Sequence, residues 1–337
     1  MGIRGFNQNN PKFRSLFTRA LGGDSTGLDA ATNFEEIFTA TGGTTYVPGN
    51  GYKYHVFTNP NSANFVVSGA AGPIEALIVA GGGGGTGEYG PGGAGGGGVV
   101  HVTSYTIPVG NHPVVVGAGG AVTTPDSSPT GPQASSEGGD SSLASITALG
   151  GGSRIPGNPS YERGSPGGSG AGGGGTATQP SRSQPIPAPS YTQYGNDGGG
   201  STNGSGSAGG GGAGGAGSDP LPGAPIPQSN PRGGPGGHGQ PFPAFAYPLV
   251  GLGPIQPVAN SPSNDHYGGG GGGWGYQNTV PNGGYGGGGD GHQYPTQTVQ
   301  KAGVNGLGGG AGGFVSPSPD STNKAGGDGI VIVRYQV

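Results

Sequence analysis

Cysteine is absent from the 337 residues, and charge is scarce, with Asp, Glu, Lys and Arg together at 8%. Without cysteine there is no disulfide framework, no thiolate nucleophile and no thiolate metal site. A net charge of −4 supplies no basic stripe for a phosphate backbone, so no nucleic-acid partner is expected. No apolar run approaches the roughly 18 residues of a membrane-spanning helix. The opening stretch MGIRGFNQNNPKFRSLFTRALGGD lacks the apolar core of a secretory signal. Phe6 stands where N-myristoylation wants Ser or Thr. Synthesis in a cytoplasm is the expectation.

What the chain has instead is glycine, 88 residues of it, together with 33 prolines. That much Gly and Pro without a period ordinarily signals low complexity. Here, however, the glycines come in runs separated by strand-like segments. Hydrophobic residues, at 29%, allow only a small core for this length.

The chain divides into four parts. Residues 1–33 form an arm in which Arg4, Lys12, Arg14 and Arg19 stand among Phe6, Phe13 and Phe17. KFRSLFTRAL can make two or three helical turns, and the arm is expected to dock on a partner. Residues 34–149 read as a β-rich base. A turn at Pro48-Gly49-Asn50-Gly51 precedes alternation through Tyr52, Tyr54 and Val56, and NFVVSG follows as a short strand. PIEALIVA is nearly all apolar and should be covered on both faces. A first glycine tract spans 81–98. Strand signals return in VVHVTSYTI, HPVVVGAGG and SSLASITALGG, the last carrying Leu143, Ile146 and Leu149, with Asp140 expected to help a turn before it. Residues 150–328 alternate glycine tracts with Pro-, Ser- and Tyr-containing loops. Residues 329–337, GIVIVRYQV, return as a C-terminal strand in which Ile330, Val331, Ile332 and Val333 form another run suited to full cover. Roughly 250 residues separate it from PIEALIVA, and both are expected in one sheet, because loop-closure entropy grows only slowly with length.

The tracts cannot be α-helix, where each Gly costs about 1 kcal/mol against Ala. They lack the strict triplet of collagen and the side chains of a strand face. The remaining ordered form is polyglycine II, with three residues per turn, so that six glycines span roughly 19 Å. It has no internal hydrogen bonds, and its N–H and C=O groups must find lateral partners. Only glycine lets backbones approach closely enough. The expected fold is therefore mainly β. A small antiparallel β-sandwich-like base carries a bundle of packed polyglycine-II helices, with almost no α-helix.

In order along the chain stand GYKYHVFTNPNSANFVVSGAAGPIEALIVAGGGGG, GGAGGGGVV, VVVGAGG, GGDSSLASITALGGG and GGDGIVIVRY. This ordered set, over residues 44–337, resembles the glycine-rich domain of phage tail-fibre and appendage proteins common in phages of marine bacteria. Its glycine-rich part is similar to the adhesin at the tip of some long tail fibres, where polyglycine-II helices form a slab and the loops between them contact the host receptor. The chain departs from that pattern in its long Pro-rich segments, and its first 40 or so residues match no part of it.

The resemblance implies a virion protein without catalytic activity. The arm would dock it to other virion proteins. Its partner on the host would be an outer-membrane protein or a surface polysaccharide, and self-association into a homo-oligomer stays open. The alternative is a capsid or tail decoration protein; a secreted silk-like matrix protein is disfavoured by the missing signal peptide. Candidate receptor-binding residues lie in the interruptions between tracts: Arg182, Tyr191, Tyr194, Phe242, Phe245, Tyr247, Trp274 and Tyr276. Rigid aromatics among small residues have the character of a binding surface, although the same aromatics can instead pack between layers of the slab.

Matches to GxGxxG arise by chance in such a chain and lack the strand–helix context of a nucleotide site. The six histidines show no metal spacing. His55, His101 and His112 fall in expected strands and read as structural. Asp265-His266 and Asp290-Gly-His292 read as loop polar residues. No catalytic residue, metal or cofactor is expected.

Overall fold

The computed structural model describes residues 37–85, 92–121, 136–153, 164–174, 181, 183, 191–201, 206–221, 232–253, 262–276, 280–294, 300–314 and 324–337. The expected arm, 1–33, lies outside them. Along the chain run β1 (Thr39–Thr41), β2 (Thr44–Tyr46), β3 (Tyr52–Phe57), β4 (Ser62–Ser68), β5 (Gly72–Val79), β6 (Val99–Ile107), β7 (Gly110–Val115), β8 (Ser141–Leu143), β9 (Ile146–Ala148) and β10 (Tyr191–Tyr194). They are followed by β11 (Gln240–Pro241), two 3-10 turns (Pro243–Phe245 and Tyr247–Val250), β12 (His266–Tyr267), β13 (Gly275–Tyr276), β14 (Gln293–Tyr294) and β15 (Ile330–Gln336). The fold is mainly β, and the 3-10 turns are the only helical elements among the described residues.

Two antiparallel sheets form the base. The first has the order β1-β4-β7-β8-β9 and the second β10-β6-β5-β15-β3-β2. Strict alternation on β4 turns Phe65 and Val67 inward and leaves Val66 outside. They join Phe57, Ile78, Val102, Leu143, Val331 and Val333 in a core to which both sheets contribute. The second sheet is covered on its other face as well. There Tyr54, Leu77, Val79, Ile330 and Ile332 meet Phe242, Phe245, Tyr247 and Tyr267. Double coverage explains the apolar runs Ala76–Val79 of β5 and Ile330–Val333 of β15. They are neighbours, in register from Ile330 opposite Val79 to Arg334 opposite Glu75, so the intervening chain is closed at its base as expected.

The glycine tracts pack into a bundle whose hydrogen bonds repeat every third residue. Gly93 and Gly96 donate to Ala208 and Gly211; Ala94 and Gly97 donate to Ala311 and Gly308; Gly95 and Gly98 donate to Gly152 and Leu149, all at 2.8–3.0 Å. The first neighbour runs parallel to this tract and the other two antiparallel. The next tract repeats the pattern, with Ala208 and Gly211 donating to Gly173 and Gly170, Gly209 and Gly212 to Ser218 and Gly215, and Gly210 and Ala213 to Gly271 and Gly268. A chain with three residues per turn points successive N–H groups in three directions, so i and i+3 face one neighbour. This is the lateral bonding of polyglycine II. An added Cβ on Gly96 would overlap the Gly268 carbonyl, one on Gly210 the Ala94 carbonyl, and one on Gly271 the Ala311 carbonyl.

Where a neighbouring carbonyl is missing, a short side chain replaces it. Asp328 Oδ1 accepts from Gly119 N–H at 2.8 Å, Asp219 Oδ1 from Gly200 N–H at 2.7 Å and Ser207 Oγ from Trp274 N–H at 2.7 Å. Asp140 belongs to this group and corrects its sequence assignment. Its Oδ1 accepts from Gly150 N–H at 2.8 Å, across the β8–β9 hairpin rather than in a turn before it. The hairpin itself divides what the sequence reads as a continuous stretch. Its turn places Ala144 at φ 51° with no Gly or Asn to announce it.

From Phe38 onward the chain forms one compact unit. The expected boundary at 150 does not divide it in space. β10 lies inside the 150–328 region yet pairs with β6, Tyr191 opposite Val102 and Tyr194 opposite Val99. Tracts 81–85 and 92–98, from the expected base, are bonded into the bundle.

Replacing Gly96 or Gly210 by Ala should destabilise the fold by about 1–3 kcal/mol through overpacking against backbone. Gly253, with open space where a Cβ would sit, should accept Ala within about 0.5 kcal/mol. Denaturant unfolding of the three variants checks both expectations.

Candidate functional site

Each tract has an end near the sheets and an end far from them. Near the sheets, Ala80 N–H donates to Gly98, Gly98 to Leu149, Gly329 to Gly117 and Gly268 to Leu307. The chain reverses there through tight turns, and Gly268 at φ 73° and Gly308 at φ 67° supply the left-handed geometry. At the far end Gly85 donates to Lys324, Gly173 to Gly199, Ser207 to Trp274, Gly275 to His292 and His292 to Gly313. Leu221 and Arg232 exchange both backbone bonds, and Ser136 Oγ accepts from Ala121 N–H. These residues lie on both sides of segments 86–91, 122–135, 202–205, 222–231, 277–279, 295–299 and 315–323; segment 175–190 differs, because Gly173 before it stands at this end while Tyr191 after it stands in the base sheet. The described residues that border those seven segments on both sides thus stand together at one end of the bundle.

Of the aromatic candidates, Trp274 and Tyr276 stand at this end and the other five do not. Phe242, Phe245 and Tyr247 are buried in the second core, so their expected place on exposed loops is corrected. The physical reason is the apolar outer face of β5 and β15, which needs a cover. Pro243 and Pro248 lie in the first turns of the two 3-10 segments and shape QPFPAFAYPLV into that cover. Tyr267 OH donates to the Phe245 carbonyl at 2.7 Å, and Tyr247 OH to the His266 carbonyl. Burial pushes the hydroxyls of both tyrosines up from their ordinary range.

Tyr191 and Tyr194 lie in β10, not in a loop. Tyr191 packs against the first core, and Tyr194 sets its ring edge-on to Phe242, 5.4 Å between centroids. Trp274 is buried at the far end of its tract. Of its two readings, packing and receptor contact, the structure supports packing. Tyr276 sits in β13, paired in parallel with Tyr294 of β14. Arg182 and the arm residues Arg4, Phe6, Lys12, Phe13, Arg14, Phe17 and Arg19 lie outside the described residues.

The structure adds a polar cluster that sequence reading missed. Glu75 Oε1 meets His101 Nε2 at 2.8 Å, and Glu75 Oε2 accepts from Arg334 Nε at 2.7 Å. Arg334 Nη1 donates to the Ala244 carbonyl at 3.2 Å and to Tyr54 OH at 3.3 Å, and its guanidinium lies 4.2 Å from the Tyr52 ring centre. The cluster pins the aromatic cover to the sheet. Burial alone would raise the Glu75 pKa; bonds from His101 and Arg334 outweigh it and hold the carboxyl below its ordinary value. A signal was present: Glu75 interrupts the otherwise apolar PIEALIVA, and Arg334 directly follows the apolar run Ile330–Val333.

The remaining polar candidates are structural. His55 Nδ1 is 2.7 Å from the Gly42 carbonyl, and His112 Nε2 is 2.8 Å from that of Pro108. Asp290 Oδ1 accepts from Gly283 N–H and its Oδ2 from Lys301 Nζ. His266 Nδ1 lies 2.9 Å from Asp265 Oδ1. No group of three or more His, Asp or Glu positioned to hold a metal occurs among the described residues.

The chain belongs to the glycine-rich domain family, whose model matches residues 57–336. No curated protein matches it in sequence.

Burial lowers the pKa of His55 and His292 below the ordinary 6.5. Below pH 6.5 the unfolded chain takes up protons that the folded chain resists, so their contribution to stability is present above 6.5 and is lost as pH falls through the lowered values. The Glu75 contribution is present above 4.5 and is lost at lower pH still. The melting temperature should therefore drop in two stages on acidification. Neither ring nitrogen of His292 has a hydrogen-bond partner among the described residues. His292→Leu should reduce the first stage without removing it, because His55 and His238 are lowered as well. Arg334→Ala should cost on the order of 2 kcal/mol at pH 7, because it leaves Glu75 half-paired in a largely buried site; equilibrium unfolding reads this directly.

Proposed function

We propose that this chain is a non-enzymatic virion protein, the tip adhesin of a phage tail fibre or appendage. A rigid polyglycine-II slab presents its far-end segments to a receptor on the host cell. The observation that carries this reading is that the described residues bordering seven of the interruptions stand together at one end of the bundle, while the other end is closed by sheets and tight turns. Such a scaffold holds variable loops in place without needing them for its own stability, and binding function concentrates on loops set by a rigid frame. Membership of the glycine-rich domain family agrees with it. The receptor class is an outer-membrane protein or a surface polysaccharide. The arm at 1–33 joins the chain to other virion proteins. Burial of Phe242, Phe245, Tyr247 and Trp274 shifts the recognition role to segments such as 222–231, bordered on both sides by the paired Leu221 and Arg232.

A decoration protein of the capsid or tail is the second reading, and a slab stiffened throughout by backbone bonds serves that role equally well. Cell binding separates the two. Fluorescently labelled protein should bind bacteria on which a phage encoding it grows. Replacing 222–231, whose bordering Leu221 and Arg232 are paired, by a short Gly-Ser linker should abolish binding and leave the melting temperature within a few degrees. Binding to the virion alone, with none to cells, favours decoration. Binding to neither rejects both readings.

A further inference from the structure

β5 and β15 stay paired only as far as Arg334 opposite Glu75. Beyond it β15 continues along β3 alone, Tyr335 opposite Lys53 and Gln336 opposite Tyr52. Gly72, Pro73 and Ile74 meanwhile follow β6, opposite Ile107, Thr106 and Tyr105. The sheet forks at the end away from the slab. An irregularity in the β5–β6 register between Ile74 and Ala76 adds to the opening. The fork holds a cleft of about 300 Å³, at the lower end of the size range of small-molecule sites and enough for one ring.

Its chemistry is specific. The charges in the cleft are committed to one another, since the Glu75 carboxylate takes His101 and Arg334, and Arg334 has its remaining bonds to Tyr54 and Ala244. No charged group is left to select an ion. What lines the opening is neutral: the exposed hydroxyls of Thr103 and Ser104, the exposed Gln336 amide, and the rings of Phe38 and Tyr52. Hydroxyls and an amide both donate and accept, and aromatic faces cover C–H surface. A ligand matching all of these is uncharged, rich in hydroxyls and apolar on one face.

We propose that this cleft binds a single neutral sugar ring. The assignment stands apart from the adhesin reading, which concerns the opposite end of the molecule.

The test is a titration of the full-length, isotope-labelled chain with glucose, galactose, mannose and N-acetylglucosamine, followed by amide chemical shifts. At least one sugar should give saturable, millimolar shifts confined to the fork, around Glu75, Ser104 and Gln336. Ser104→Phe, which fills the cleft from an exposed position, should abolish them while the slab resonances stay in place. Gln336→Ala should weaken binding about fivefold, the effect of one hydrogen bond, and it decides the matter if the first variant does not fold. The proposal is overturned by the absence of saturable shifts with all four sugars, by shifts that survive Ser104→Phe, or by shifts confined to slab residues such as Gly93 and Gly313. Equal shifts with inorganic phosphate would overturn the neutral-ligand assignment. Cell binding is read independently, so either idea can fail while the other stands.

Discussion

The lateral hydrogen bond between glycine backbones, repeated in three directions around each tract, is the interaction on which the rest of the molecule depends. It forms only where nothing projects from the α-carbon, because the carbonyl of one neighbour occupies the place a Cβ would take. Each bond contributes about 0.5–1.5 kcal/mol net, against about 1–2 kcal/mol to order each backbone. Glycine, the freest residue when unfolded, is the most demanding to order. A single tract is therefore unstable, and the assembly holds because interior tracts are bonded on all sides and their ends are tied down.

The tying is done by the second sheet. β5 and β6 run directly into or out of tracts, and β15 receives the last one, so strand register sets the height at which each glycine meets its partner. That sheet carries apolar side chains on both faces, one face against the first sheet and the other under Phe242, Phe245, Tyr247 and Tyr267. Its burial supplies the hydrophobic term the glycines lack. The Glu75–Arg334 pair fastens the cover and also marks where β5 and β15 part, so the polar cluster and the fork have a common origin.

This division of labour shapes what the molecule can present. Aromatic residues, the usual anchors of a binding surface, are largely consumed by the cover. A rigid frame built from backbone needs few side chains.

Much of this architecture was legible in the sequence. Glycine runs with neither helical nor triplet logic left one ordered conformation. Two apolar runs bracketing them implied a shared, doubly covered sheet, and the Pro48–Gly51 turn was marked by its residues. The placement of the aromatics was not legible. A Pro- and Phe-rich segment has the same composition as an exposed loop or as a lid on a sheet, and only the unpaired apolar face of β5 and β15 decides for the lid. Likewise Tyr191–Tyr194 becomes a strand because β6 offers a free edge, and Asp140 caps Gly150 because the hairpin brings them together. Local chemistry, acting through sterics and backbone conformation, thus determined which elements exist. Which residues meet was decided by tertiary packing, because burial and hydrogen-bond partners are properties of neighbours far away in the chain.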